Sequence, residues 1–156
     1  RLVGSEMCIR DSILRNMDLS ENEIDESIYD AMLLSVDVAH ALHPNKKEKM
    51  DITNMPVMGK GFCIKQACSQ SYATDAQAIA ILCQLCDEKG IPYQRFVNRS
   101  DSRGGSTLGS IAGTLLPVKT VDIGIPILAM HSACELMGVR DMKALSDCVT
   151  AFFGYH

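Results

Sequence analysis

Blocks of apolar and polar residues alternate along the chain in a pattern that predicts strands followed by helices. Apolar positions at helical spacing predict helices over 21–33, 72–90 (its regular part 74–89) and 141–153. Short apolar runs predict strands over 34–39, 61–67, 92–97 and 119–123. A further helix is expected after a glycine turn at 102–105, capped by Ser106 or Thr107. This alternation indicates an α/β fold, with a mostly parallel sheet that carries helices on both faces.

Proline and glycine mark the expected ends of these elements. Pro44 follows the first strand and cannot continue a central ladder, and the sequence Gly124-Ile125-Pro126 is expected to break the fourth strand. The polar stretch 46–61 is expected to form a long loop. Loops of this length are more often functional or mobile than idle.

Length and charge restrict the classes of protein that the chain can belong to. Its 156 residues suffice for one domain with a hydrophobic core. The net charge of -4, without a basic cluster longer than Lys46-Lys47, argues against a nucleic-acid partner. No apolar run approaches the roughly 18 residues of a membrane span, and the first residues do not resemble an export signal. We therefore expect a cytoplasmic protein that does not bind membranes.

The seven cysteines are expected to be free thiols, because their number is odd and export features are missing. Cys83 and Cys86 have the spacing of a redox motif or of half a zinc site. They lie well inside a predicted helix, however, and no second such pair is found. A buried helix face therefore explains this pair better than thiol chemistry does.

Residues 1–12 show no clear helical or strand period, and the chain opens on an arginine. We expect this segment to be an artefactual or flexible lead-in. It is left out of the prediction of the fold, which covers residues 13–156.

Ionisable residues concentrate where the first strand ends. Asp37, His40 and His43 lie within seven positions, and such groups are costly to bury unless a metal or a substrate uses them. A carboxylate suits zinc or manganese. The alternatives are that Asp37 caps a turn or pairs with a lysine or arginine, that His40 is a hydrogen-bonded core residue, and that His43 fixes the loop.

Further candidates come from later segments of the chain. His131 follows an apolar run and is a possible metal ligand, although a lone histidine is a weak signal. Lys65 lies among apolar residues, where a buried ammonium needs an anion such as a substrate carboxylate, unless it reaches out from a sheet edge. Tyr72 can direct its hydroxyl at the same site or serve packing alone. The glycine-rich turn at 104–109 can offer backbone N–H groups to an oxyanion, or be a tight structural turn.

Taken together, these segments resemble the aspartyl aminopeptidases, a family of co-catalytic zinc metallopeptidases. The matching stretches are SVDVAHALHPN (35–45), Lys65 with YATD (72–75), FVNRSD (96–101), GSTLG (105–109), TVDIGIP (120–126) and AMHS (129–132). Their order and spacing agree over nearly everything after residue 20. The resemblance implies the C-terminal part of a proteolytic domain, with a three-layer α/β fold whose mostly parallel or mixed sheet is incomplete.

The resemblance also implies roles for individual residues. Asp37 would ligate one zinc ion and His131 the other, and the two ions would activate a shared water. Asp37, His40, Lys65 and Tyr72 would line the pocket for a peptide whose N-terminal residue is Asp or Glu. His43 and the turn at 105–109 would shape the site. The family also forms homo-oligomers.

Several parts of the family's site have no counterpart in this sequence. A further histidine ligand, a bridging aspartate and a glutamate pair that includes the general base are expected upstream, so no catalytic residue is assigned within the chain. We therefore expect the fragment to be inactive and its full-length parent to be the enzyme. The alternatives are a non-catalytic assembly or binding remnant of the same fold, and a related co-catalytic aminopeptidase of other specificity.

Overall fold

The computed structural model describes residues 12–101 and 104–154, so most of the expected lead-in at 1–12 and part of the turn at 102–105 lie outside it. The elements in chain order are α1 (Glu21–Asp30), β1 (Met32–His40), a 3-10 turn (Lys47–Lys49), β2 (Phe62–Gln66), α2 (Ala76–Lys89), β3 (Tyr93–Val97), α3 (Leu108–Leu115), β4 (Lys119–Leu128), β5 (Leu136–Met137) and α4 (Val139–Phe153).

The strands form one mixed sheet in the order β1-β4-β2-β3, with the short β5 paired to β4. β1 runs parallel to β4 and β2 runs parallel to β3. β2 is antiparallel to β4, and this central pairing sets Lys65 opposite Asp122 and Cys63 opposite Gly124. The α/β class with a mixed open sheet is therefore confirmed.

Side chains alternate between the two faces of the sheet, as the strand geometry requires. On one face Val121, Ile123, Ile125 and Ile127 of β4 join a large apolar core that includes buried residues of α2 and α4. On the other face a smaller core contains Ala39, Met50, Cys63, Tyr72 and Phe96. The helix α3 contacts β1 and β4, with Gly109 directly against Ser35 and Asp122 on that second face. Helices therefore cover both faces of the sheet.

The predicted boundary between the first helix and the first strand was wrong. The helix α1 ends at Asp30, and Met32 and Leu33 belong to β1. They pair with Lys119 and Thr120 of β4, which extends the parallel ladder by two residues. An apolar run of this kind fits a helix face and a buried strand equally well, so the long-range partner decides between them.

The predicted break at Gly124-Ile125-Pro126 was also wrong, because β4 continues to Leu128. The carbonyl of Ile127 accepts a hydrogen bond from the Ala41 N–H on the β1 side, so the adjacent Pro126 turns its nitrogen away from β1. On that other side the pairing with β2 ends at Gly124. The missing N–H of Pro126 thus falls in a gap of the ladder, where proline is tolerated.

The other predicted elements agree with the sequence except at their ends, whereas the short β5 and the 3-10 turn were not predicted. The helix α2 starts after Asp75, whose carboxylate accepts a bond from the Ala78 N–H, and ends at Gly90 with φ of 65°. Thr107 is the N-cap of α3, but its hydroxyl makes no capping bond. None of the helices within 12–101 and 104–154 combines the length and the apolar character that a membrane crossing requires.

The cysteines of the described residues are free thiols. Cys86 is buried on α2, with its sulfur 3.8 Å from that of Cys148 on α4, and Cys83 is half-buried. The contact with Cys148, together with burial, raises the pKa of Cys86, so its thiol stays protonated. A thiolate is the reactive form of cysteine, and this environment fits a buried helix face better than thiol chemistry.

A single carboxylate holds the end of the 46–61 loop. Asp141 is fully buried near the start of α4, and its two oxygens accept hydrogen bonds of 2.7 Å from the N–H groups of Gly59 and Gly61. These bonds fix the turn that leads into β2. The loop is therefore anchored at its end to a distant helix.

Replacing Asp141 with Ala should lower the free energy of unfolding by about 2–4 kcal/mol, because two N–H groups lose their partner in a buried place. Urea denaturation measures this loss. Asp147→Ala on the same helix is the matched control, since its carboxylate forms an exposed pair with Lys143. That variant should change stability by less than about 0.5 kcal/mol. Equal losses in the two variants would contradict the assigned role of Asp141.

Candidate functional site

A cavity of about 810 Å³ opens where β1 ends, on the face of the sheet that carries the smaller core. Its wall contains the residues that the sequence predicted for metal or substrate binding: Asp37, His40, Lys65, Tyr72 and His131. These residues are separated by up to 94 positions in the chain, and the sheet brings them to one place. The carboxylate at 37 and the imidazole at 131 thus face the same cavity.

Lys65 is the most deeply buried charge of this wall, with 3% of the residue exposed. Its ammonium donates hydrogen bonds to the Val38 carbonyl at 3.0 Å and to Asp37 Oδ2 at 3.3 Å. It also lies 4.7 Å from the centre of the Tyr72 ring. The ammonium is thus held inside the protein by a carboxylate, a carbonyl and an aromatic face together. The alternative in which Lys65 reaches out from a sheet edge does not apply.

Asp37 forms the other half of this ion pair and is the more open partner, with 50% of its side chain exposed. It lies within β1, which runs on to His40. The described residues therefore show the alternative expected for Asp37, an ion pair with a lysine. The ion pair uses Oδ2, and a carboxylate has a second oxygen that can bind a cation.

Tyr72 lies between the second strand and α2 and is buried beside the ring of Phe96, with 6.3 Å between ring centres. Its hydroxyl oxygen accepts a hydrogen bond of 3.3 Å from the amide of Asn98. Burial raises the pKa of Tyr72, although the bond from Asn98 lowers it. The negative charges of Asp122 and Asp37 raise the pKa further. The phenol therefore stays protonated near neutral pH, and its O–H is available as a donor to a ligand.

The histidines play different parts at the cavity. His40 ends β1 with its ring 6.5 Å from that of Phe96, and partial burial, followed by the charges of His131 and Lys65, lowers the pKa of His40. His43 accepts a 3.1 Å bond from the Asn45 N–H through Nδ1, so its imidazole fixes the loop after β1. This matches the loop-fixing alternative for His43.

His131 is placed by an unusual turn after β4. Ala129 and His131 have φ of 58° and 68°, in the left-handed region that non-glycine residues rarely adopt. The Ser132 N–H donates to the Ala129 carbonyl, and the His131 N–H donates to Glu135 Oε1 at 2.6 Å. Such strain persists where the surroundings enforce it, often at functional sites.

The glycine turn contributes backbone to the wall at Gly104 and Gly105. A Cβ atom at Gly104 would lie 2.1 Å from Nδ2 of Asn98, so a side chain there would displace the amide that holds Tyr72. Sequence reasoning missed Asn98 as a site residue. Its position directly after a predicted strand, next to a glycine-rich turn, was the available signal.

Sequence reasoning also missed the outer part of the wall. Lys46, Lys49 and Arg99 line the cavity and contribute positive charge. Arg99 is held by an ion pair with Asp101 and donates to the Glu48 carbonyl. The sequence showed the lysines only as part of a polar loop.

The donor set offers the right chemistry for a zinc ion but not the usual number of ligands. Asp37 and His131 supply a carboxylate and an imidazole to one cavity. Within the described part of the chain, no three His, Cys, Asp or Glu side chains lie together as a metal-binding group. Since a catalytic zinc normally takes three protein ligands, the described residues do not complete such a site by themselves.

Comparison with known proteins places these residues in a family. Residues 4–153 match the family model described as aminopeptidase I zinc metalloprotease (M18). The chain belongs to the M18 family. It is 46% identical over 142 residues to the probable M18 family aminopeptidase 2 of Clostridium novyi (strain NT), a match that covers 88% of this chain and 33% of that protein. The resemblance to a zinc aminopeptidase family is therefore confirmed.

Solved structures of M18 proteins share the fold. The chain matches a structure from the Ape4 and Nbr1 complex with a TM-score of 0.87 and 32% identity, over 93% of this chain and 28% of that chain. It matches the S. cerevisiae mApe1 dodecamer with a TM-score of 0.70 and 27% identity, over 80% of this chain and 27% of that chain. The chain spans about a third of the length of the curated M18 relatives it matches.

Replacing His131 with Asn should raise the pKa of His40, because the largest charge that opposes its protonation is removed. NMR titration of the histidine Cε1–Hε1 signals measures the change. His43→Asn is the control, since His43 is not among the groups that shift the pKa of His40, and it should leave the titration of His40 unchanged. An unshifted His40 in the His131 variant would show that the two imidazoles do not interact.

Because the pKa of His40 lies below its ordinary value of 6.5, the unfolded chain binds the proton more readily. Stability should therefore decrease as the pH falls from about 6.5 through the lower pKa of the folded state. His131→Asn should reduce this decrease. Urea denaturation at several pH values measures it.

Proposed function

We propose that the complete protein is a zinc metallo-aminopeptidase that removes N-terminal Asp or Glu from peptides. The observation that carries the proposed specificity is the buried ammonium of Lys65 on the cavity wall. A substrate carboxylate taken out of water needs a fixed positive charge, and a neutral pocket would leave it unpaired. Lys65 supplies that charge, and Tyr72 beside it offers a neutral hydroxyl donor.

The contacts of Lys65 explain how it would serve a substrate. Its ammonium donates two hydrogen bonds within the protein, to Asp37 and to the Val38 carbonyl. The ammonium has three N–H donors, so one remains for an incoming carboxylate. The ion pair with Asp37 and the ring of Tyr72 keep the side chain in one orientation, which lowers the entropic cost of recognition.

The metal side of the site rests on Asp37 and His131. We propose that each binds one of two zinc ions, with the remaining ligands and the general-base glutamate supplied by parts of the protein outside this chain. Bound zinc would lower the pKa of a water and polarise the peptide carbonyl. The chain's own residues orient the substrate: Lys65 holds its acidic side chain, while His40 and Tyr72 border it.

We further propose that the isolated chain is inactive and that the complete protein is a cytoplasmic homo-oligomer. The lack of a three-ligand group among the described residues supports inactivity. The dodecamer of mApe1 supports assembly. A non-catalytic assembly or binding remnant is the alternative that the same ligand deficit favours, and an aminopeptidase of other specificity is the alternative to an acidic preference.

The isolated chain should bind zinc only weakly, because Asp37 and His131 provide one proposed ligand to each ion. Isothermal titration calorimetry with zinc chloride measures the affinity, and the Asp37→Ala variant shows whether any weak binding involves this carboxylate. Tight stoichiometric binding by the 156 residues would contradict the proposed ligand deficit.

Lys65→Met should remove the preference for acidic N-terminal residues. The matching segment of the Clostridium novyi aminopeptidase can be exchanged for this chain, and kcat/KM compared for substrates with N-terminal Glu and Leu. We expect at least about a hundredfold loss for Glu, because the substrate carboxylate would lose its buried countercharge, and a much smaller change for Leu.

Two further variants of this hybrid act as controls. Lys49→Met removes an exposed charge from the outer wall and should leave the Glu preference nearly unchanged. Asp37→Ala should abolish cleavage of both substrates if this carboxylate binds metal. An equal loss for Glu and Leu in Lys65→Met would overturn the proposed specificity, and full activity of Asp37→Ala would remove Asp37 from the metal site.

A further inference from the structure

Asp122 is a fully buried acid on the same face of the sheet as Lys65, and the two residues are directly paired across β4 and β2. Its Oδ2 accepts a hydrogen bond of 2.8 Å from the Ala73 N–H. Its Oδ1 has no hydrogen-bond partner within the described part of the chain. Burying a carboxylate costs desolvation energy. The contacts of Asp122 therefore indicate which parts of the structure it stabilises.

Thr74 completes a short network behind Lys65. Its hydroxyl donates to the Lys65 carbonyl at 2.6 Å and accepts a 3.0 Å bond from the Asp122 N–H. The segment that follows Tyr72 is therefore tied to β2 through Thr74 and to β4 through Ala73. Both ties lie within two residues of the Tyr72 ring that faces the ammonium.

The network also supports the helix on this face. A Cβ atom at Gly109 would lie 2.7 Å from Asp122 Oδ1 and 2.8 Å from Ser35 Oγ, so the start of α3 is packed directly on the carboxylate. One buried acid thus contacts the segment after Tyr72 and the helix that follows the glycine turn. The negative charge of Asp122 also contributes to the raised pKa of Tyr72, which keeps the phenol a donor.

We propose that Asp122 and Thr74 are positioning residues that hold the Tyr72 ring over the Lys65 ammonium and so set the geometry of the acidic-residue pocket. The role in substrate recognition rests on the function proposed above. Neither residue lines the cavity. They act through the backbone of residues 73 and 74, which fixes where the tyrosine side chain starts.

The test uses the 156-residue chain and the NMR signals of the Lys65 ε-methylene group. The face of an aromatic ring shifts nearby protons upfield, so this shift reports the position of Tyr72 over Lys65. Tyr72→Leu defines complete loss of the shift, and Tyr72→Phe should retain it. The free energy of unfolding of each variant, measured with urea, separates a local displacement from general destabilisation.

Thr74→Val keeps the shape of the side chain but removes its hydroxyl, and it should reduce the upfield shift by more than half. Thr74→Ser restores the hydroxyl and should restore the shift. Asp122→Ala removes the acceptor of the Ala73 N–H and should also reduce the upfield shift, whereas Asp122→Asn keeps an acceptor and should retain it. A full shift in Asp122→Ala would remove Asp122 from the positioning role. A full upfield shift in Thr74→Val, or loss in Thr74→Ser equal to that in Thr74→Val, would overturn the positioning role.

A second measurement separates this inference from the proposed function. The dipeptides Glu-Ala and Leu-Ala are titrated into the unaltered chain and into Thr74→Val, and the Lys65 signals are followed. Weaker perturbation by Glu-Ala in Thr74→Val than in the unaltered chain supports the inference. Equal perturbation of Lys65 by both dipeptides in the unaltered chain contradicts the acidic specificity, whereas the ring shift alone decides whether Thr74 positions Tyr72.

Discussion

The buried ammonium of Lys65 is the constraint on which this face of the sheet depends. A charge in the middle of a sheet is tolerated only when fixed acceptors surround it. Asp37 and Val38 of β1 supply them from the far side of β4, which lies between the two strands. The half-exposed Asp37 and the ring of Tyr72 both contact this one group on the cavity wall. The ammonium of Lys65 therefore has a carboxylate of the protein, Asp37, as its partner before any ligand binds.

Much of the fold could be predicted because its signals are local. The helix α2 has an aspartate cap, helical spacing and a left-handed glycine end, and each of these can be seen in the sequence. The errors occurred where a distant strand decides the outcome. Met32 and Leu33 become strand because β4 is available as a partner, and Pro126 is accepted because the ladder has a gap beside it.

The candidate site divides in the same way. Asp37, His40, Lys65, Tyr72 and His131 could be proposed from residue type and their position beside apolar runs, and they share one cavity. Asn98 had only the weak signal of its place after a strand, and Thr74 and Asp122 could not be proposed. These residues matter through bonds to other segments, and a polar side chain gives no sign in the sequence of its distant partner. The ion pair of Lys65 with Asp37 also needed the register of the sheet. The roles of the predicted residues in metal and substrate binding remain predictions.

The left-handed backbone at position 131 sets folding and chemistry against each other. Glycine adopts such a conformation without steric penalty, whereas histidine pays for it, typically by about 1–3 kcal/mol when the strain is severe. A glycine would relieve this strain but would remove the imidazole from the cavity wall. The same turn carries a second non-glycine residue in this conformation, Ala129, so both side chains are kept there at a cost in stability.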